Sequence, residues 1–326
     1  MVRVPRSCRA LLLAAALALA PSALHAQKTL TLGGSDSIGS LLDRQNALFT
    51  KVCNERAAGK LKINFIQGEQ LGNDQQVIEQ MMQGSVQIYG DVLDWYANWV
   101  KDFAIMGWGF TFRDADHLQK FTESPAYQKL ADELRSKQGI RVLAAAATQP
   151  RVMFANKPIT KLEDIAGIKM RVPEIKVYVK LWETLGARPS RVAWAEVFLG
   201  LKSGVVDAAE GPVSAAFSAK LHEAAKHVAR HIYSSTHITM TEKAYQELGP
   251  ELQGVITGCA KEAVAWARKQ AADETEDVIQ KMSAAGATVH KVDVSAIRAK
   301  SEGAVAEMEK DGAWSPGLWK AIQEIK

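Results

Sequence analysis

The sequence predicts an α/β protein of two lobes bridged by helices, each lobe built on a mostly parallel sheet flanked by helices. Three observations predict it. Residues 28–89 alternate strand, helix, strand, helix and strand; the alternation restarts at 140; and beyond Thr241 the apolar positions keep a helical period to Lys326. At 326 residues the chain has room for roughly two domains of ordinary size. Two α/β units followed by a helical tail place chain segments across both lobes, with the longest helices bridging them toward the C-terminus.

Lys28–Gly33 alternates polar and apolar residues and ends in glycine, the pattern of a short strand. After the Gly34-Ser-Asp-Ser-Ile-Gly39 turn, Leu41, Leu42, Gln45, Leu48, Phe49, Val52 and Cys53 recur at helical spacing. Lys60–Ile66 alternates strictly and reads as a second strand. Asn73 is placed to cap a helix carrying Val77, Ile78, Met81 and Met82, and Ser85–Tyr89 is strand-like. Later, Ile140–Ala147, Val152–Ala155, Ile168–Val172 and Val205–Ala209 read as strands, Val177–Leu185 and Ala195–Ser203 as helices. Periodic runs at 251–285 and 295–310 make the tail helical.

Residues 1–26 have the form of a secretory signal peptide: Arg3, Arg6 and Arg9, an apolar run from Ala10 to Ala20, and Ala26 before a plausible cut. The run is too short for a bilayer core, which needs about 20 residues. The formal net charge of +4 is mostly this leader: removing its three arginines from 40 Lys+Arg leaves 37 against 36 Asp+Glu, a net of +1. Such a balance gives no electrostatic footprint for nucleic acid. An exported chain can bridge Cys53 to Cys259, or bury both as free thiols; their apolar surroundings allow either.

Catalytic constellations are missing. Gly33-Gly-Ser-Asp-Ser37 lacks the closing glycine of a nucleophile elbow, no P-loop is present, and Gly33, Gly34 and Gly39 fail the dinucleotide spacing. His227 and His231 would share a helix face, half of a zinc motif, but lack its glutamate and a third ligand. Asp114-Ala-Asp116-His117 reads as a turn and helix cap, and Trp95 and Trp99 as packing on one helix face. Neither a metal nor a cofactor site is expected. What remains is a pair of arginines beside predicted strand ends, Arg151 and Arg171. Ligands of open α/β sheets sit beyond the carboxyl ends of strands, and a guanidinium fork matches a carboxylate bidentately without ever losing its proton. Each arginine could equally pair with an internal carboxylate.

Several segments occur in one register: Gln70-Leu-Gly-Asn-Asp74, Phe112-Arg-Asp-Ala-Asp-His117, Lys157-Pro-Ile, Leu162-Glu-Asp-Ile-Ala-Gly-Ile-Lys-Met-Arg-Val-Pro173, Leu185-Gly-Ala-Arg-Pro189, Trp194-Ala-Glu-Val-Phe-Leu-Gly-Leu201 and Val206-Asp207. In these segments, which span nearly the whole chain after the leader, the sequence resembles the DctP-like periplasmic solute-binding proteins of tripartite ATP-independent (TRAP) transporters. The resemblance implies a two-lobe periplasmic binding protein fold, with lobe I at 27–148 plus about 237–276, lobe II at 149–236 plus about 277–326, and a cleft between them. It implies that Arg171 bridges the carboxylate of an organic acid, that Arg151 assists, and that Trp194 packs on the ligand body. An asparagine is common where this chain has Gly211, so a side-chain hydrogen bond is lost and space opens; with Trp194 this suggests an acid bulkier or more apolar than a small dicarboxylate. Glu210 stands either as a ligand acceptor or as an arginine's internal partner. Ser35, Asp36 and Tyr89 are candidate contacts from the other lobe. The partners implied are the acid and the membrane permease, with the binding protein a monomer. A sensing protein docked on a receptor, or an exported enzyme acting on acids, would use the same cleft.

Overall fold

The structure, a computed structural model, describes residues 27–326; the expected signal peptide lies outside the described residues. Nine strands are present among them: β1 (Lys28–Gly33), β2 (Leu61–Ile66), β3 (Ile88–Tyr89), β4 (Ile140–Ala155), β5 (Lys169–Val172), β6 (Arg188–Arg191), β7 (Ala208–Pro212), β8 (His227–Thr241) and β9 (Thr288–His290). They form one sheet in the order β2-β1-β3-β8-β4-β7-β5-β6, with β9 on β8. Parallel pairs occupy its two ends, β2-β1-β3 and β7-β5-β6. The long strands β4 and β8 run antiparallel to each other and join the two ends. The sheet is therefore mixed, and the two parallel units expected separately share a common antiparallel centre.

The early elements form where their patterns place them. Helix α1 (Leu41–Arg56) starts at Ser40, whose side chain accepts the amide of Asp43. Helix α2 (Asp74–Gln83) starts in a reciprocal capping box between Asn73 and Gln76 and stops at Gly84, in the left-handed conformation that glycine adopts without strain. Helix α3 (Lys176–Thr184) follows β5. Helix α4 (Glu242–Ala284) runs 43 residues with a break at Gly249 (φ 75°), immediately before Pro250, which cannot continue the backbone ladder. No helix of the described residues is long and apolar enough to cross a membrane.

One core cluster packs Phe49 and Cys53 of α1 and Ile256 and Cys259 of α4 against Leu30 and Leu32 of β1. Burying a side chain such as Phe49 completely contributes about 1.5–3 kcal/mol. Both thiols are free and buried. The C-terminal residues return to 102–117: Trp314 packs on Trp108, and the Ile322 carbonyl meets His117 Nε2 at 2.9 Å.

Several expectations need correction. The two strands read at 140–155 are one, because Pro150 sits at a register shift where no ladder bond is required of it. The strand read at Val205–Ala209 begins at Ala208. His227 and His231 are not on a helix at all but on β8, so no shared helical face for a metal exists.

Candidate functional site

The loops that follow β1, β3, β5 and β6, with the end of β7 itself, converge on a cavity of about 50 Å³. Ser35 and Asp36 follow β1, and Asp91 and Asp94 follow β3; Asp74 opens α2. From the other end of the sheet come Arg151 on β4, Arg171 on β5, Tyr178 on α3, Trp194 after β6 and Pro212 ending β7. Strand carboxyl ends facing one another across a crevice are the usual ligand position in such sheets.

The two arginines have opposite circumstances. Arg151 is forked onto Glu210, with Nε donating to Oε2 at 2.5 Å and Nη2 to Oε1 at 2.7 Å. The sheet register sets this pair: Arg151 faces Pro212 and Met153 faces Glu210, so the two side chains are diagonal neighbours on one face. Glu210 is 0% exposed. Burial pushes its carboxyl up, but the Arg151 charge prevails and draws it down to about 2. Burial likewise opposes the Arg151 charge, and Glu210 outweighs it, so its pKa rises. His231, kept neutral by burial, stands 3.6 Å from the same carboxylate.

Arg171 is only 3% exposed and donates from Nε to the Val192 carbonyl at 2.8 Å. Among the described residues no carboxylate lies within ion-pair distance of it, and its terminal nitrogens make no hydrogen bond. Burial pulls its pKa down to about 10, partly opposed by the Glu210 charge. The Trp194 ring lies 5.3 Å from its Cζ, a cation–π distance. Trp194 Nε1 donates to Ser37 Oγ at 2.8 Å, and the Leu41 amide to Ser214 Oγ at 2.9 Å, two bonds that tie opposite ends of the sheet across the crevice.

Arg171, Arg151, Trp194, Ser35 and Asp36 therefore line the cavity. Glu210 is the internal partner of Arg151. Tyr89 stands behind the wall, its hydroxyl donating to Asp74 Oδ1 at 2.6 Å. Gly211 does not open space: a Cβ there would lie 2.7 Å from Trp194 Cη2, so the ring already fills the room an asparagine would take. The expectation of a bulkier or more apolar acid loses its basis with that contact. Sequence reasoning missed Asp74, Asp91, Asp94 and Tyr178; the position of Asp91 two residues past Tyr89, just beyond a strand end, was the available signal.

The wall contributed by β1, β3 and α2 is acidic. Asp36 takes hydrogen bonds from the Ser37 amide and the Ser40 hydroxyl, both at 2.8 Å. Asp94 Oδ2 takes one from the Tyr178 hydroxyl at 2.6 Å, and Asp91 Oδ1 one from the Val92 amide at 2.7 Å. Burial pushes Asp36, Asp74, Asp91 and Asp94 all up, Asp36 to about 7. Among the described residues no three His, Cys, Asp or Glu side chains converge as a metal site.

The chain is similar to several known proteins. A solute-binding protein of Roseobacter denitrificans is 28% identical over 88% of this chain and 89% of its own. The C4-dicarboxylate-binding periplasmic protein DctP of Rhodobacter capsulatus is 30% identical over 74% of this chain and 73% of its own. A TRAP periplasmic solute-binding protein from Polaromonas, solved with D-erythronate, superposes with a TM-score of 0.86 at 26% identity, covering 92% of this chain and 99% of that one. The family model that matches residues 37–311 is DctP, bacterial extracellular solute-binding protein, family 7. With the two-ended sheet, the crevice between its ends and a match over most of its length, this chain belongs to the DctP family of TRAP-type solute-binding proteins.

Proposed function

We propose that the protein captures an organic acid in the crevice, closes on it, and delivers it to the membrane permease of a TRAP transporter. It acts as a monomer in the periplasm, reached through the leader at 1–26, and makes or breaks no bond. The lobes that close are 27–148 with about 237–276, and 149–236 with about 277–326. One observation carries the reading: Arg171 is a buried guanidinium lining the cavity whose terminal nitrogens no described residue engages. A charge buried without a partner is costly, and a ligand carboxylate supplies the partner; each charge-assisted hydrogen bond contributes about 1.5–3 kcal/mol. The Polaromonas relative was solved with D-erythronate, a carboxylate. Contacts made only when the lobes are together let the ligand favour the closed state.

A thermal-shift screen of organic acids tests the proposal, since a ligand at 100 times its dissociation constant stabilises the fold by about 2.7 kcal/mol. A hit that shifts the wild-type protein and not Arg171→Met is the expected result. An acid that stabilises both equally places the site elsewhere.

A further inference from the structure

The fold brings together two thiols that lie far apart in the sequence. Cys53 is on α1 and Cys259 on α4, both 0% exposed in the cluster that also holds Phe49 and Ile256. The two helices run antiparallel: Arg44 pairs with Glu274, and Lys60, just past α1, with Glu251. The cysteines fall between these contacts, each three residues before a member of the Arg56–Glu262 ion pair. In this register the Cys53 S–H donates to Cys259 Sγ. That bond, with burial, pushes the Cys53 thiol up. The same bond draws the Cys259 thiol down against burial, helped by the Arg56 charge. Both sulfurs are reduced in the structure, and the only other cysteine, Cys8, lies in the leader.

We infer that Cys53 and Cys259 are an oxidisable pair that closes into an intramolecular disulfide as the chain folds, stapling α1 to α4. The inference rests on the export proposed above, which puts the folding chain in an oxidising compartment. The oxidant is another disulfide, of a small thiol or of a thiol–disulfide oxidoreductase. One cysteine thiolate attacks that disulfide, forming a mixed disulfide and releasing one oxidant thiolate. The thiolate of the other cysteine then displaces the second oxidant thiolate, and the Cys53–Cys259 bond forms. Two cysteine thiols are oxidised, one oxidant disulfide is reduced to two thiols, and those thiols keep the two protons. Because neither sulfur is exposed in the packed core, the first exchange precedes the docking of α1 on α4 and the second accompanies it. Arg56 favours Cys259 as the second nucleophile, since its charge remains when Cys53 carries the oxidant. Both cysteines belong to the segments assigned to lobe I, so the staple strengthens that lobe and leaves the crevice unchanged.

The test is to unfold the protein in denaturant with reductant, refold it in a mixture of oxidised and reduced glutathione, and count its thiols by maleimide mass tagging in denaturant. The refolded monomer should carry no free thiol, and its proteolytic peptides holding Cys53 and Cys259 should be linked. Two free thiols per folded chain, or linkage only between chains, overturns the inference. Reductant should lower the melting temperature of the oxidised protein by about 5 °C or more, because the crosslink closes a loop spanning most of the chain. Cys53→Ala and Cys259→Ala should each melt at one temperature with or without reductant. A wild type as indifferent to reductant as these variants shows that no staple exists. Any acid found in the thermal-shift screen should bind Cys53→Ala within twofold of wild type; a tenfold loss would overturn confinement of the staple to lobe I. An acid bound by a protein whose thiols stay free sinks the disulfide and leaves the proposed capture standing, whereas a closed disulfide with no acid bound does the reverse.

Discussion

Arg151 and Arg171 are the same residue type in the same sheet, both buried and lining one crevice, yet they have different partners. Arg151 is forked onto Glu210 and its charge is neutralised within the protein. Arg171 has a backbone carbonyl on one nitrogen and, among the described residues, no carboxylate partner. The difference teaches that burial of a cation does not by itself mark a binding residue; the proposed role of Arg171 rests on burial without a counter-charge. On the proposed reading the pair also divides stability from recognition, since removing one half of a satisfied buried pair harms the fold, whereas removing an unpartnered buried charge leaves no counter-charge stranded.

The largest effect that can break this comparison is on the paired side. Glu210→Gln leaves the Arg151 charge buried and unmatched and should lower unfolding stability by about 3–5 kcal/mol, read by urea denaturation at neutral pH. Because the folded carboxyl is held at about 2 and the unperturbed one sits at 4.5, its stabilisation is complete above pH 4.5. It is lost as pH falls toward 2, so the gap between wild type and variant should narrow across that window. A gap that stays constant from pH 6 to pH 3 would show that the ion pair is not its source. Next comes Arg171→Met, which should weaken acid binding at least tenfold in calorimetry while the fold melts no lower than wild type; a destabilised variant would make Arg171 structural like its neighbour. Arg171→Lys should lose less than the methionine variant but still bind more weakly than wild type, because a point charge cannot reproduce the fork. Equal affinity for Lys and Arg would mean charge alone is read. The smallest effect sharpens the role of Trp194: Gly211→Ala sets a methyl against the ring and should cost about 1 kcal/mol through displacement of the indole, followed by tryptophan fluorescence.

Much of the scaffold was legible because its early elements obey local rules. Ser40 and Asn73 cap as their types require, and β1 and β2 alternate cleanly. β8 was not legible: its second half is buried on both faces and carries Ser234, Ser235, Thr236, His237 and Thr239, so no apolar run announces it. β4 was divided in the reading by Pro150, which a register shift accommodates. In the site, both arginines could be nominated from their positions beside strand ends, but which one was spoken for depended on the diagonal register of Arg151 with Glu210, a long-range fact. The role of Gly211 reversed for the same reason, since only the fold brings the Trp194 indole onto it. Asp91 and Asp94 were passed over because an acidic residue in a loop ordinarily faces water, and nothing local says these two are enclosed.

The register shifts where β4 crosses β8, between Ala147 and Pro150 and again between Arg151 and Val152, carry a mechanical consequence. On the closure proposed above, these shifts are where the long ladder is interrupted and the two ends of the sheet can bend most readily. Trp194 to Ser37 and Leu41 to Ser214 are among the contacts such an opening would break, at about 1 kcal/mol each.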